Sequence, residues 1–428
     1  MTVLLLIVVF MLLMLAGVPV VWSMAAASLA AITAGGLGLP AIWYAQQFAR
    51  GADSITLAAI PLFLLAGEIM NRGGLTRRIV RAAEHVFGRL RGGLSLVNVA
   101  TALVYGGISG SATADTGAVA AVLIPAMEQR GYPRAFAAAL TAASGTLGII
   151  VPPSIILILY GVLSGTSIGG LFMAGLIPGV FVAIVFMLAA YWIGVREGYP
   201  KAEKSAELPV IARDFATALP ALVMPIAILG SIVGGFATAT EAAAFAVIYA
   251  LIVATLVYRE LDLRDIYPAA AAAVTTTGAI MIIMAAATPF GWILTIERVT
   301  ALAAQWLTSL DAGPVATVVL MLLVLKIVGF WLDLGPALVI MTPILRPIAL
   351  AAGLGDYQTG ILFTMTLGIG LFTPPIGTNI FVVCNVAKVD MVQVSARLVP
   401  FWIASIVAVI GLAAFPALTE WLPRVAGY

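Results

Sequence analysis

Leu147-Gly148-Ile149-Ile150-Val151-Pro152-Pro153-Ser154 and Leu367-Gly368-Ile369-Gly370-Leu371-Phe372-Thr373-Pro374-Pro375-Ile376-Gly377-Thr378-Asn379 are the two stretches whose reading decides the fold. Each sets two adjacent prolines inside a long apolar run. A proline has no N–H for the carbonyl four residues back, and its ring clashes there. Pro152 and Pro153 therefore release the carbonyls of Gly148 and Ile149. Pro374 and Pro375 release those of Gly370 and Leu371. In lipid a released carbonyl is tolerated only where protein buries it or a cavity receives it. A helix broken at membrane depth is one way that secondary transporters build an ion site.

The rest of the composition agrees with a membrane setting. Of 428 residues, 63% are hydrophobic and 9% charged, with a mean hydropathy of +1.15. Soluble domains carry roughly 25% charged residues. The chain is thus expected to be an all-α polytopic membrane protein. Its net charge of +2 points to no nucleic-acid partner. One cysteine, Cys384, excludes an internal disulfide, and one histidine, His85, leaves little scope for zinc chemistry. The N-terminus has no basic region before its apolar run. It is expected to begin a mature membrane helix on the outside rather than a signal peptide.

Taken in order, residues 3–16 and 18–34 form a pair of helices, and a third helix runs over 54–70. The polar segment 71–93 holds six arginines against Glu84. Leu75, Ile79, Ala82, Val86 and Leu90 recur in it at helical spacing, so it is an amphipathic arm at the interface. Residues 94–127 are apolar but interrupted by small and polar residues from Gly106 to Gly117. This pattern predicts a re-entrant hairpin with a buried tip. A broken helix over 135–160 and a helix over 171–195 complete a first repeat, 1–195.

After a linker, 196–218, the second repeat occupies 219–428. It comprises scaffold helices 219–296, an arm 297–313, a hairpin 315–351, a broken helix 357–384 and a helix 396–420. Gly17 matches Gly235, and Asp115-Thr116-Gly117 matches Asp333-Leu334-Gly335, both at a shift of 218. Pro152 matches Pro374 and Pro178 matches Pro400 at 222. With five crossings per half, sixteen Lys and Arg residues fall in inside loops. Four fall outside, namely Arg50, Arg298, Arg346 and Arg424, while Lys326 lies in the second hairpin. That excess obeys the positive-inside rule. Five is odd, so the second half is expected to be inverted, as in many secondary transporters.

The two tips and two breaks are expected to converge. A first ion site would use Ser111 with Gly148 and Val151, and a second Gly329 with Gly370 and Thr373. Carbonyls and hydroxyls without a cluster of acids suit Na⁺. Ser154, Thr378 and Asn379 follow the breaks and face either a substrate carboxylate or neighbouring helices. Asp115 and Asp333 are intramembrane acids, read either as helix caps or as ion or substrate coupling groups. Glu241 after Thr238 reads mainly as a cap, and Glu68 is spaced to pair with Arg72. Gly107-Ile108-Ser109-Gly110 has a serine-protease form, but His85 lies in the arm. Gly353-Leu354-Gly355-Asp356 has an aspartyl-protease form without a second acid beside it. No phosphate-binding Gly-rich loop is present.

Ser109-Gly110-Ser111-Ala112-Thr113-Ala114-Asp115, Thr373-Pro374-Pro375-Ile376-Gly377-Thr378-Asn379 and Thr240-Glu241-Ala242-Ala243-Ala244 together resemble the large membrane subunit of tripartite ATP-independent periplasmic (TRAP) transporters. The resemblance covers essentially the whole chain. It implies an elevator-type transporter of the ion-transporter superfamily in the bacterial inner membrane, taking up organic acids with Na⁺. It also implies a separate small four-helix membrane subunit and a periplasmic substrate-binding protein. The substrate carboxylate would lie among Ser109, Ser111, Thr113, Asp115, Thr378 and Asn379, and no organic cofactor is implied. The first break departs from the second in carrying Ser154 where the second continues with Ile376-Gly377. A self-sufficient carboxylate symporter driven by Na⁺ or H⁺, and an intramembrane enzyme, are the other readings.

Overall fold

A computed structural model describes residues 1–201, 207–299, 301–302, 305 and 313–428. Among these residues the chain is helical and has no strand. Helices α1 (Thr2–Leu15) and α2 (Val20–Ala34) pack as a pair. An additional helix, α3 (Ala41–Ala52), follows Pro40, between the second and third helices read from the sequence. A kink at Asp53-Ser54 and one 3₁₀ turn lead into α4 (Ala59–Arg72). The amphipathic arm is α5 (Leu75–Phe87), which buries Leu75, Ile79, Val80 and Ala82 and turns Arg77 and Arg81 outward.

The first hairpin is α6 (Gly93–Ser109) and α7 (Ala112–Gln129), joined at Gly110-Ser111. Gly110 has φ +67°, a conformation that costs a residue without a Cβ little. The first broken helix is α8 (Arg134–Ser144), a 3₁₀ turn (Gly145–Ile149), the proline pair, and α9 (Ile155–Ser164). Helix α10 (Ile168–Arg196) closes this half.

The second half begins with α11 (Leu208–Val233) and α12 (Ala239–Ile252). Helix α11 starts inside the stretch read as linker, 196–218, since Arg213 and Asp214 sit within its first turns. Helix α13 (Leu263–Ile296) is continuous where α3 and α4 are kinked. The expected arm, 297–313, lies largely outside the described residues. The second hairpin is α14 (Pro314–Trp331) and α15 (Leu334–Ala351), joined at Leu332-Asp333. The second broken helix is α16 (Asp356–Gly368), a 3₁₀ turn (Ile369–Phe372), the proline pair and α17 (Thr378–Ala387). Helix α18 (Met391–Ala414) stops at Phe415-Pro416, short of the expected 420, and α19 (Ala417–Val425) follows. Eight of the described helical stretches are long and apolar enough to cross a membrane.

These boundaries correct one matched pair. Both hairpin turns and both proline pairs recur at the same spacing, so Asp333 stands where Ser111 stands, ahead of the second arm of its hairpin. The position equivalent to Asp115 is Ala337, and Pro125 corresponds to Pro347 rather than Pro343. The two aspartates are not counterparts. The shift of 218 holds for the first two helices only, and the apparent Asp-x-Gly match arose from it.

Packing explains why small residues cluster where they do. Helix α12 packs along α4 and buries Ala242, Ala243, Ala246 and Ala250, while on α4 Gly67 lies against Ser109 of the first hairpin and Phe63 against Phe172. Small residues let membrane helices approach closely, and van der Waals contact then drives association. The glycines of the breaks serve the same end at shorter range. A Cβ on Gly106 would lie 2.7 Å from the Cα of Gly148, and one on Gly370 would collide with the carbonyl of Gly329. A methyl group there must displace backbone, so Gly370→Ala should destabilise by about 1–3 kcal/mol. Gly335→Ala, which meets nothing within 4 Å, should be close to neutral. Thermal unfolding of the two variants in detergent checks this, and equal melting temperatures would contradict the contact.

Candidate functional site

Both breaks meet at the centre of the molecule. Ile149 of the first fits against Gly368 of the second, where a Cβ would collide with its Cδ1. Each hairpin closes onto its own break. The Ile155 N–H donates to the Gly110 carbonyl at 3.3 Å, tying the first tip to the chain just past Pro153. The second hairpin reaches its break through Gly329, one turn before the tip, so Gly329 is not itself the tip residue. The halves also interlock. The Asn379 side-chain amide donates to the Ala142 carbonyl at 3.1 Å, and α7 packs along α17. Both proline pairs carry a cis bond, Pro152-Pro153 and Pro374-Pro375.

The released carbonyls are partly taken up. Ser154 donates its hydroxyl to Ile149 O at 2.5 Å and accepts the Leu157 N–H at 3.3 Å. It is an N-cap of α9, and this use of its hydroxyl answers the reading of Ser154 as a substrate donor. Thr373 donates to Ile369 O at 2.5 Å, its own N–H goes to Gly370 O at 3.0 Å, and its carbonyl accepts the Gly377 N–H at 3.1 Å. The Trp402 indole of α18 donates to Phe372 O at 3.1 Å. Two crossing glycines of α10, Gly175 and Gly179, admit Ile150 O and the Val151 side chain.

Around this centre several buried oxygens have no partner: Asp115 Oδ2, Thr116 Oγ1, Thr364 Oγ1, Thr366 Oγ1, Thr378 Oγ1 and Asn379 Oδ1. Such atoms are costly in an apolar interior unless something fills them. Asp115 is fully buried. Ser109 donates its hydroxyl to Asp115 Oδ1, while Oδ2 points at Gly148, where a Cβ would collide with it. Asp115 is therefore held between tip and first break rather than capping α7. Thr113, two residues earlier, is exposed on the other face of α7, so Thr113 and Asp115 do not share one pocket. Ser111 is half-buried at the turn, and its N–H reaches Ser109 Oγ at 3.2 Å. Asp333 is exposed at the second tip, with no side-chain cap bond.

Three groups went unnoticed in the sequence. Asn98, in the first arm of the hairpin, donates to Thr141 Oγ1 at 2.7 Å and accepts from Ser144 at 2.7 Å, locking hairpin to broken helix. An asparagine amid apolar residues was a signal that the tip motif overshadowed. Thr364 and Thr366 gave none, because threonine is ordinary in membrane helices.

A single family accounts for this arrangement over nearly the whole chain. The family model described as "Tripartite ATP-independent periplasmic transporter, DctM component" matches residues 7–418. The chain belongs to this family. Among its relatives, the isethionate TRAP transporter permease protein DctMQ of Oleidesulfovibrio alaskensis is 37% identical over 416 residues. The match covers 97% of this chain and 64% of that protein, so the chain spans just under two thirds of it. The 2,3-diketo-L-gulonate TRAP transporter large permease protein YiaN of Escherichia coli is 40% identical over 344 residues, 80% of this chain and 81% of that one. The sialic acid TRAP transporter large permease protein SiaM of Vibrio cholerae is 34% identical over 416 residues, 96% of each. The crystal structure of the Alcanivorax borkumensis YdaH transporter superposes with a TM-score of 0.61 at 15% identity, covering 89% of this chain and 88% of that one. That likeness is one of fold.

This DctM component is a multi-pass transporter permease, and the enzyme readings fall away. Ser109 is bonded to Asp115, while His85 sits on the arm, 2.7 Å from Asp214. Asp356 pairs with Arg346 at 2.6 Å rather than with a second acid. Glu241 and Thr238 form a reciprocal cap at 2.8 and 3.3 Å, and Glu68 lies 3.7 Å from Arg72. Ser109→Ala should strip a buried carboxylate of its donor and cost about 1–3 kcal/mol of stability. Thr113→Ala, on the exposed face, should cost little. Denaturation of the purified variants decides, and a smaller loss for Ser109→Ala would contradict the placement of Asp115.

Proposed function

We propose that this DctM component drives Na⁺-coupled uptake of a small organic acid across the bacterial inner membrane by an elevator movement. It acts with a small four-helix membrane subunit and with a periplasmic binding protein that delivers the substrate. The observation that carries this reading is the convergence of both breaks and the first tip on buried oxygens with no protein partner. Oxygen ligands without sulfur or nitrogen suit a hard cation. Relatives named for isethionate, 2,3-diketo-L-gulonate and sialic acid transport support an organic anion as cargo.

The roles follow from placement. One Na⁺ binds between the first tip and first break, near Ser111, Gly148 and Val151. The other binds where Gly329 meets Gly370 and Thr373. Filling the orphan oxygens joins each hairpin to its break and completes a site at which Thr378, Asn379 and the start of α17 meet the carboxylate. The positive end of that half-helix favours an anion. Binding must differ between the outward and inward states to bias movement. Ion-dependent hairpin closure supplies that difference, and the arm, Leu75–Leu90, links moving and fixed parts.

Uptake of radiolabelled organic acids into proteoliposomes tests the proposal. With both partners present and an inward Na⁺ gradient, uptake should appear for one member of the panel. It should fall to background when K⁺ replaces Na⁺ or the binding protein is left out. Thr378→Val should weaken uptake at least tenfold by removing one carboxylate donor. Uptake by this chain alone would instead indicate a self-sufficient symporter. Uptake driven by a proton gradient without Na⁺ would move the coupling role to Asp115.

Separately, Na⁺ should raise the melting temperature of the purified chain, because a ligand that binds only the folded state stabilises it by mass action. Gly370→Ala should remove part of that shift. An identical melting temperature in Na⁺ and in K⁺ would count against both ion sites.

A further inference from the structure

Four arginines line one open cleft of about 480 Å³ at the polar end of the bundle. Arg77, Arg78 and Arg81 come from the arm α5, and Arg213 comes from the first turns of α11. Two acids share the cleft, and both are already engaged. Glu260 lies 2.7 Å from Arg78 and 3.3 Å from Arg77, and Asp214 lies 2.7 Å from His85. Arg78 is further held by the Gly74 carbonyl at 2.9 Å and by the Tyr258 ring 3.8 Å below it. Arg81 and Arg213 are exposed and pair with no carboxylate among the described residues. Four positive groups against two negative ones leave an excess of two.

Like charges gathered in one cleft repel, and here the internal acids neutralise only half of them. A phosphate answers this geometry, because guanidinium groups bind it in paired hydrogen bonds. Location selects the source. The arm is amphipathic and lies at the interface. Helix α11 runs from the cleft into an apolar span whose outer flank, through Phe215, Leu219, Val223 and Ile226, is uncovered. The charge distribution assigns this end to the cytoplasmic leaflet, where anionic lipids collect basic segments. We infer that the cleft between α5 and α11 binds the phosphate headgroup of an anionic phospholipid, held chiefly by Arg81 and Arg213. The lipid would brace the arm against the first helix of the second half.

Native mass spectrometry of the full chain in a neutral detergent tests this. The chain is titrated with phosphatidylglycerol, with phosphatidylcholine of the same acyl chains, and with sodium phosphate. Phosphatidylglycerol should bind in preference to phosphatidylcholine. The double variant Arg81→Gln/Arg213→Gln should lose affinity for it on the order of tenfold or more. Arg91→Gln/Arg264→Gln, which removes the same charge outside the cleft, should bind as the parent does. Should the double variant fail to fold, Arg213→Gln alone should show a smaller loss in the same direction. Equal binding of the two lipids, or equal loss in the control variant, would overturn the site. Displacement of phosphatidylglycerol by an equal concentration of phosphate would overturn the lipid assignment in favour of a free anion.

Discussion

The structure depends on a missing hydrogen bond. Each proline pair takes two N–H groups out of a helix in an environment where water cannot replace them. The carbonyls so exposed must be answered, and every neighbouring element is arranged around the answers. The Ser154 hydroxyl answers one of them, at Ile149, and the Thr373 N–H answers another, at Gly370, from within their own breaks. Trp402 reaches in from α18 to a further carbonyl of the second break, at Phe372. The hairpins come to the breaks because their glycines allow backbone to touch backbone. At this centre a small set of oxygens is left without a protein partner, and the proposed coupling ion is assigned to them.

Residual polarity of this kind is expensive. Asp115, Thr116, Thr364, Thr366, Thr378 and Asn379 carry it on the broken helices and the hairpin arm beside them, and Thr76, Ser95, Thr101 and Tyr105 carry it on α5 and α6, while the outer surface carries Leu, Val, Ile and Phe. Ion pairs among the described residues also tie the ends of helices together. Arg78 with Glu260, Arg130 with Glu84 and Arg397 with Glu197 pair there at 2.7, 3.0 and 2.6 Å. Partly exposed pairs contribute little stability each. Their value is positional, since they hold loops and arm against helices that would otherwise be joined only by apolar contact. In the arginine cleft the internal acids fall short of the arginines.

Comparison of the two halves shows how far a repeat constrains detail. The turns, breaks and crossing helices recur at a common spacing, yet the side chains diverge where function would need them. Ser111 corresponds to Asp333, Asp115 corresponds to Ala337, and the kink between α3 and α4 is absent from α13. The first hairpin therefore holds its acid inside, against the break, and the second holds its acid at the tip. A shared backbone leaves room for two sites of different character.

The sequence by itself determined the membrane setting, the two breaks, the amphipathic arm and the family. These follow from local rules: the lack of a proline N–H, the periodicity of apolar residues, and the scarcity of charge. It also marked most of the central residues, because polar groups in apolar runs stand out. Tertiary structure alone decided which way they face. Asp115 and Thr113 are two residues apart and were read as one site, but a helix separates such positions by more than half a turn. Ser154 reads from the sequence as a donor either to substrate or to a neighbouring helix, and packing places an acceptor in its own break, Ile149 O, within its reach. Asn98 stands out as a polar residue in an apolar run, but its partners, Thr141 and Ser144, are brought to it only by the fold. Contacts across 40 or 200 residues are set by which backbones can approach, and that depends on glycines whose partners lie far away in the chain.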